Sequence, residues 1–165
     1  MTMHLLKSPR APFLVALIIG SGLFVSAVYM GETMRLAACP LCILQRMLCI
    51  ALALSAALGL LVGRSPVGRV VAALLMTIST ATGAFVAGYQ TWIQRFATDV
   101  QCSGEAAWWE LFVDWAGEKA PLLFQANGLC SDPGWKFLGL SIAEYSLIGF
   151  CMLTLLSLYV LFRKS

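Results

Sequence analysis

The segment Cys39-Pro40-Leu41-Cys42-Ile43-Leu44-Gln45-Arg46 places a C-x-x-C pair directly before an apolar run, with an arginine four residues beyond the second cysteine. Pro40 suits the first turn of a helix, because its missing N–H has no intrahelical partner there. Cys39 then lies at the positive end of the helix dipole, which favours a thiolate. Cys42 and Arg46 are i, i+4 neighbours, so the guanidinium can lie beside the sulfur. This pattern predicts a reactive dithiol at the start of a helix.

The composition of the chain is that of a membrane protein. Its 165 residues are 60% hydrophobic and 12% charged, about half the charged share of a soluble domain, and the mean hydropathy is +0.85. A soluble core of this size cannot hide so much apolar surface, so we expect a single membrane domain over residues 1–165. The net charge of +3 is spread over scattered basic residues without a basic stripe, which argues against nucleic-acid binding.

Four stretches are long and apolar enough to cross a bilayer as helices. They cover about 12–30, 41–63, 70–92 and 145–162, with outer loops at about 31–40 and 93–144. The first stretch could instead belong to a secretory signal peptide, but it is long for one and no A-x-A cleavage site follows. We therefore expect a four-helix, all-α membrane bundle.

The third stretch carries small residues at four-residue spacing, in two rows: Ser79, Gly83 and Ala87, and Ala84 and Gly88. Small residues at this spacing allow membrane helices to approach closely. We expect these rows to face neighbouring helices.

The distribution of charge predicts the orientation of the bundle. The side that holds both termini carries only basic residues, namely Lys7, Arg10, Arg64, Arg69, Arg163 and Lys164, and all eight acidic residues lie on the other side. Short basic loops stay in the cytoplasm. Both termini are therefore predicted to be cytoplasmic, and the cysteine-bearing loops to face outward.

Within the long outer loop, the stretch from Glu105 to Glu118 has the pattern of an amphipathic helix. Its apolar face would carry Trp108, Leu111, Phe112 and Trp115, and its acidic face Glu110, Asp114 and Glu118. Such a helix would lie in the membrane interface, with tryptophan at the level of the headgroups. The alternative is that the aromatic side chains pack on the bundle.

The six cysteines fall into two groups. Cys39, Cys42, Cys102 and Cys130 lie on the outward side, and Cys49 and Cys151 lie within predicted spans. A thiol inside a span most often acts as a small hydrophobic group, which is the role we expect for the last two. The four outer cysteines allow three disulfide connectivities.

The outer cysteines could bind zinc, form structural disulfides or carry redox chemistry. Zinc is disfavoured because structural sites use two closely spaced pairs, whereas 27 residues separate Cys102 from Cys130. We therefore expect no metal. A C-x-x-C disulfide closes too small a loop to stabilise the fold much through chain entropy. With Arg46 one turn from Cys42, redox chemistry is favoured, although the arginine could also simply reach toward the interface.

Taken together, these features resemble the disulfide bond formation protein B (DsbB) family of bacterial inner-membrane oxidases. The resemblance covers nearly the whole chain. It rests on four spans, the C-x-x-C with its following arginine, a second cysteine pair in the long outer loop, and the segment Trp135-Lys136-Phe137-Leu138-Gly139-Leu140.

The resemblance implies a quinone-linked protein-disulfide oxidoreductase. A DsbA-like thioredoxin-fold oxidant would attack Cys102 of a Cys102–Cys130 disulfide, and the freed Cys130 would attack Cys39. Cys42 would then pass electrons to ubiquinone or menaquinone, with Arg46 stabilising the charge at the outer end of the second helix. The respiratory chain would be an indirect partner.

The end of the third span departs from the family pattern. It reads Tyr89-Gln90-Thr91-Trp92, where some relatives carry a histidine or an additional basic residue. We therefore expect Arg46, rather than this end of the helix, to supply most of the contact with the quinone.

Two other functions compete with this interpretation. A vitamin K epoxide reductase-like enzyme would carry its loop cysteines before a C-x-x-C on a late helix, the reverse of the order here. A non-catalytic membrane scaffold with structural disulfides would hold outer cysteines that resist mild reductants.

Overall fold

The computed structural model describes residues 10–96 and 108–163, and this part of the chain forms the predicted all-α membrane bundle. The four helices long and apolar enough to cross a membrane are α1 (Ala11–Thr33), α2 (Pro40–Val62), α3 (Pro66–Phe96) and α6 (Ile142–Phe162). Between α3 and α6 lie α4 (Trp108–Lys119), the single turn α5 (Pro121–Phe124), and the antiparallel strands β1 (Lys136–Phe137) and β2 (Leu140–Ser141).

Local sequence determines where the spanning helices begin. Cys39 is the N-cap of α2, and its sulfur accepts a hydrogen bond from the backbone N–H of Cys42. Ser65 accepts one from the N–H of Gly68 at the start of α3, and Ser141 forms a capping box with Glu144 at the start of α6. These bonds satisfy backbone donors that have no partner within the first turn.

Helix α3 is longer than the predicted span 70–92, because it includes Arg69 and Arg95 near its two ends. The predicted span was shorter because it was defined as a stretch without charged residues. A long basic side chain near a helix end can nevertheless reach the headgroups while its backbone remains helical.

Each spanning helix packs against the next in the order α1, α2, α3 and α6, whereas α1 and α6 have little contact with each other. Aromatic rings of one helix pack directly against glycines of the next. A Cβ placed on Gly83 of α3 would lie 2.4 Å from the ring of Phe150 in α6, and one on Gly59 of α2 would lie 2.1 Å from the ring of Phe13 in α1. Of the two rows of small residues in α3, Ser79, Gly83 and Ala87 are buried, and Ala84 and Gly88 are half-buried.

The outer surface of the bundle is apolar. Large apolar side chains are exposed on all four spanning helices, among them Ile18, Leu61, Ile78, Phe85 and Leu155. In a protein surrounded by water such a surface would be unstable, but in lipid it costs nothing. The packing of the helices therefore agrees with the composition of the chain.

The loop helix α4 exposes the predicted apolar face. Trp108, Leu111, Phe112 and Trp115 are all exposed, and Val113, Ala116 and Gly117 are buried beneath the helix. Packing of those four side chains on the bundle is thus not observed. The predicted residues 105–107 lie outside the described part of the chain.

The sequence did not predict the β1–β2 hairpin. Its two-residue turn has positive φ at both Leu138 and Gly139, the backbone geometry of a hairpin turn that matches the twist of the strands. The hydroxyl of Tyr145 in α6 donates to the carbonyl oxygen of Phe137 at 2.9 Å. This bond holds the hairpin against the first turns of α6.

Candidate dithiol site

The loop that carries Cys130 is fastened to the residues just before the C-x-x-C. The N–H groups of Asn127 and Gly128 both donate to the carbonyl oxygen of Ala38, at 2.9 and 3.0 Å. Gly128 lies so close to the neighbouring chain that a Cβ there would be 2.2 Å from the carbonyl oxygen of Ala37. The absence of a side chain at this position therefore lets the loop bring Cys130 against Cys39.

Three of the predicted cysteines meet at the outer end of α2. The sulfur atoms of Cys39 and Cys42 lie 3.1 Å apart, and the thiol of Cys130 is hydrogen-bonded to that of Cys39. Cys39 is buried, and Cys42 and Cys130 are partly buried. Cys102, the fourth predicted site residue, lies outside the described residues.

The hydrogen bonds give the sulfurs different acidities. The bond from Cys39 lowers the pKa of Cys130 below its ordinary value. The pKa of Cys39 is raised, because its proton is shared with Cys130 and Cys42 and because the group is buried. The expectation that the helix dipole would make Cys39 a thiolate is therefore wrong. Two neighbouring sulfurs outweigh a dipole whose effect is modest and short-ranged.

Gln90 of α3 is a site residue that the sequence analysis did not single out, since it assigned most of the quinone contact to Arg46. Its amide nitrogen Nε2 donates to Cys42 Sγ at 3.1 Å and to Cys39 Sγ at 3.3 Å. Its Oε1 accepts a hydrogen bond of 2.7 Å from Nε2 of Gln45 in α2. Both glutamines are buried. The outer end of α3 thus reaches the C-x-x-C pair. The sequence feature that could have indicated this is the position of Gln90, one turn after Ala87 on the face that carries the row of small residues.

Arg46 lies one turn below Cys42 and interacts with its charge. Its terminal nitrogens donate to backbone carbonyl oxygens, Nη1 to Leu123 at 3.0 Å and Nη2 to Ala27 of α1 at 2.9 Å. The guanidinium therefore joins α1, α2 and the residues around α5 while it supplies positive charge near the dithiol. The i, i+4 spacing predicted the positive charge beside Cys42, but it could not show that Arg46 also joins the helices.

A cavity of about 380 Å³ opens beside the dithiol, between α1, α2, α3 and α6. Its lining includes Cys39, Cys42, Gln45, Arg46 and Gln90, apolar residues of α1 and α6, and residues 129 and 132–135 of the loop. The exposed lining is mainly apolar. The sulfur atoms therefore face a space suited to an apolar molecule with a few polar atoms.

The remaining predicted cysteines occupy different surroundings. Cys49 is buried and lines the inner part of the same cavity, where it packs with Ala87 and Phe150. Cys151 is exposed on the outer surface of α6. Trp109 of α4, which the sequence did not single out, packs against the cluster that contains Cys39 and Leu41.

Comparison with known proteins identifies the family of the chain. The family model of the disulfide bond formation protein DsbB matches residues 9–160. The chain belongs to the DsbB family. It is 35% identical to disulfide bond formation protein B of Stutzerimonas stutzeri, over 96% of this chain and 98% of the relative. It is 34% identical to the protein of the same name from Nitrosospira multiformis, over 93% and 92% of the two chains.

The family predicted from the sequence is therefore confirmed. Membership in the DsbB family makes this multi-pass membrane protein a thiol oxidoreductase of disulfide bond formation.

Proposed function

We propose that this protein oxidises the dithiol of a DsbA-like periplasmic thioredoxin-fold oxidant and passes the electrons through two cysteine pairs to a membrane quinone. It would act in the bacterial inner membrane, with both termini in the cytoplasm. The observation that carries the proposal is the position of Cys130 beside a C-x-x-C pair that opens onto an apolar cavity. Membership in the DsbB family supports the partner and the acceptor by analogy.

The first half of the relay takes electrons from the partner. A partner thiolate attacks Cys102 of the Cys102–Cys130 disulfide, forms a mixed disulfide and releases Cys130. Cys130 lies beside Cys39, so the thiolate released from Cys102 is already close to the sulfur that it attacks next.

The second half moves the disulfide. Cys130 attacks Cys39 of the Cys39–Cys42 disulfide and releases Cys42 as a thiolate. The partner's second thiol then displaces Cys102, and Cys102 attacks Cys130 and releases Cys39. The net result is an oxidised partner, a restored Cys102–Cys130 disulfide and a reduced Cys39–Cys42 pair that holds two electrons.

The residues around the cavity fit a quinone of the ubiquinone or menaquinone type. The space is large enough for a quinone ring, its lining is mostly apolar, and Arg46 and Cys42 supply the charge and the nucleophile. When bound, a quinone supplies the acceptor for the electron pair and the two protons of the dithiol. Arg46 would hold positive charge beside Cys42, with its orientation fixed by the carbonyl oxygens of Ala27 and Leu123.

The Arg46→Ala variant tests the cofactor-binding role. We expect the fold to be retained and quinone reduction to slow by at least about tenfold, since a hydrogen bond or charge contact to an ionised group contributes roughly 1.5–3 kcal/mol. Steady-state kinetics with a soluble quinone analogue measure this effect. Unchanged turnover at all quinone concentrations would refute the role of Arg46.

The Cys102→Ser variant tests the order of the relay. It should fail to oxidise the reduced partner while its Cys39–Cys42 pair is still reoxidised by quinone. Free thiols and quinone absorbance are followed together under anaerobic conditions. The Cys42→Ser variant should stop both the loss of partner thiols and the reduction of quinone. Partner oxidation at the wild-type rate by Cys102→Ser would refute the order. Outer cysteines that remain inert in the wild-type protein would favour the structural scaffold.

A further inference from the structure

We infer that Gln90 is a catalytic residue that stabilises the reduced Cys39–Cys42 pair, and that Gln45 is the positioning residue that orients it. This inference rests on the proposed dithiol chemistry and assigns roles to two buried amides that the relay itself does not use. The contact with both sulfur atoms carries it.

The amide N–H groups of Gln90 are placed to donate hydrogen bonds to the sulfur that becomes negatively charged. When the Cys39–Cys42 disulfide is opened, one sulfur becomes a thiolate, which accepts hydrogen bonds more strongly than a disulfide sulfur does. The Gln90 Nε2 group carries two N–H bonds, and it lies 3.1 Å from Cys42 Sγ and 3.3 Å from Cys39 Sγ. The same amide can therefore follow the negative charge between the two sulfurs without moving.

The hydrogen bond from Gln45 favours the orientation in which the nitrogen of the Gln90 amide faces the sulfurs. The Nε2 group of Gln45 donates to Gln90 Oε1 at 2.7 Å, so that oxygen is turned away from the dithiol. Reversing the Gln90 amide would place two donors against each other and would point a carbonyl oxygen at the thiolate. Because Gln90 is only 2% exposed and Gln45 6% exposed, water cannot readily substitute for either bond.

Arg46 and Gln90 stabilise negative charge on the dithiol in different ways. Arg46 supplies a full charge from one turn below Cys42 and is tied to backbone carbonyls. Gln90 supplies neutral donors in direct contact with the reacting atoms. A neutral donor in this position stabilises the thiolate without placing a cation in the buried position of Gln90, where it would be costly to desolvate.

The test compares three glutamine-to-methionine variants of the full chain in detergent micelles. Methionine is close to glutamine in length and volume but donates no hydrogen bond. The protein is equilibrated in glutathione redox buffers, free thiols are trapped, and each cysteine is quantified by peptide mass spectrometry. Gln90→Met should make the Cys39–Cys42 pair harder to reduce, so that about tenfold more reducing conditions are needed for half reduction.

Gln45→Met should shift the equilibrium in the same direction but by less, because the Gln90 amide loses its orientation and keeps its donors. Gln125→Met is the matched control. Gln125 is exposed at the end of α5 and lies outside the cavity lining, so its replacement should leave the dithiol equilibrium at the wild-type value.

A second readout separates this role from a structural one. Gln90→Met should lower kcat for reduction of a soluble quinone analogue at neutral pH, because less of the dithiol is ionised without the donor. The loss should become smaller at high pH, where the dithiol ionises without help. A wild-type redox equilibrium for Gln90→Met would overturn the inference and leave the relay intact. If Gln90→Met does not fold, a wild-type equilibrium for Gln45→Met overturns it instead. A wild-type Cys39–Cys42 pair that does not cycle at all would refute the proposed function itself.

Discussion

At the scale of single residues, the hydrogen bond between Cys39 and Cys130 makes Cys130 more acidic. It lowers the pKa of Cys130, so more thiolate is present at neutral pH than for an ordinary cysteine. In the fully reduced protein, Cys39→Ala should move the pH profile of Cys130 alkylation to higher pH and slow alkylation at pH 7 several-fold. Iodoacetamide labelling, quantified for the peptide that contains Cys130, measures the profile.

Cys49→Ala is the control for this experiment. Cys49 lies deeper in the bundle and packs with Ala87 and Phe150, so its removal should leave the Cys130 profile unchanged. A Cys130 profile that is the same in Cys39→Ala and in the wild-type protein would show that the contact between the two sulfurs has no effect on acidity.

Sequence reasoning at this scale found the reactive groups but not their hydrogen-bond partners. Cys39, Cys42 and Arg46 are close in sequence, so their helical spacing was sufficient to place them together. Gln90 and Gln45 are 45 residues apart, and only the packing of α3 on α2 brings their amides to the sulfurs. The helix dipole was a misleading guide to Cys39, because the pKa of Cys39 depends most on a hydrogen bond to Cys130, a distant residue that the sequence could not place.

At the scale of helices, close contact between α3 and α6 depends on Gly83. The ring of Phe150 occupies the space where a side chain would be, since a Cβ would lie 2.4 Å from it. Gly83→Ala should destabilise the folded protein by about 1–3 kcal/mol, the usual cost of overpacking a filled site. Unfolding in mixed micelles with increasing SDS measures this change.

Gly22→Ala in α1 is the matched control, because a Cβ at Gly22 meets nothing within 4 Å. It should be neutral or slightly stabilising, as alanine favours the helix over glycine. Equal stability of Gly83→Ala and Gly22→Ala would mean that α3 and α6 can separate without cost at this crossing.

The four-residue spacing of small residues predicted close helix approach, and the buried row that contains Gly83 agrees with it. The sequence could not identify the facing ring, because the partner helix and its rotation follow from the assembled bundle. The hairpin after Cys130 was missed for a related reason. Its strands have two residues each, too short for a periodic pattern, and Leu138 is an unusual residue for a turn position with positive φ.

At the scale of the whole molecule, charge separates the two ends of the bundle. Among the described residues, Arg10, Arg64, Arg69 and Arg163 lie at the end that holds the α2–α3 turn, and the acidic side chains lie at the end that holds the dithiol. Because basic loops are retained in the cytoplasm, we expect the dithiol end to face the periplasm. That orientation is required if a periplasmic partner is to reach the dithiol end of the bundle.

Two introduced cysteines test this orientation in a chain whose own six cysteines are replaced by alanine. Ser65→Cys lies in the α2–α3 turn, and Asp132→Cys lies in the loop after Cys130; both positions are exposed. A maleimide that cannot cross membranes should label Asp132→Cys in intact spheroplasts and label Ser65→Cys only after lysis. The reverse pattern would place the dithiol in the cytoplasm, where the reducing thiol pool would keep it reduced, and a role in forming disulfides of secreted proteins would fail.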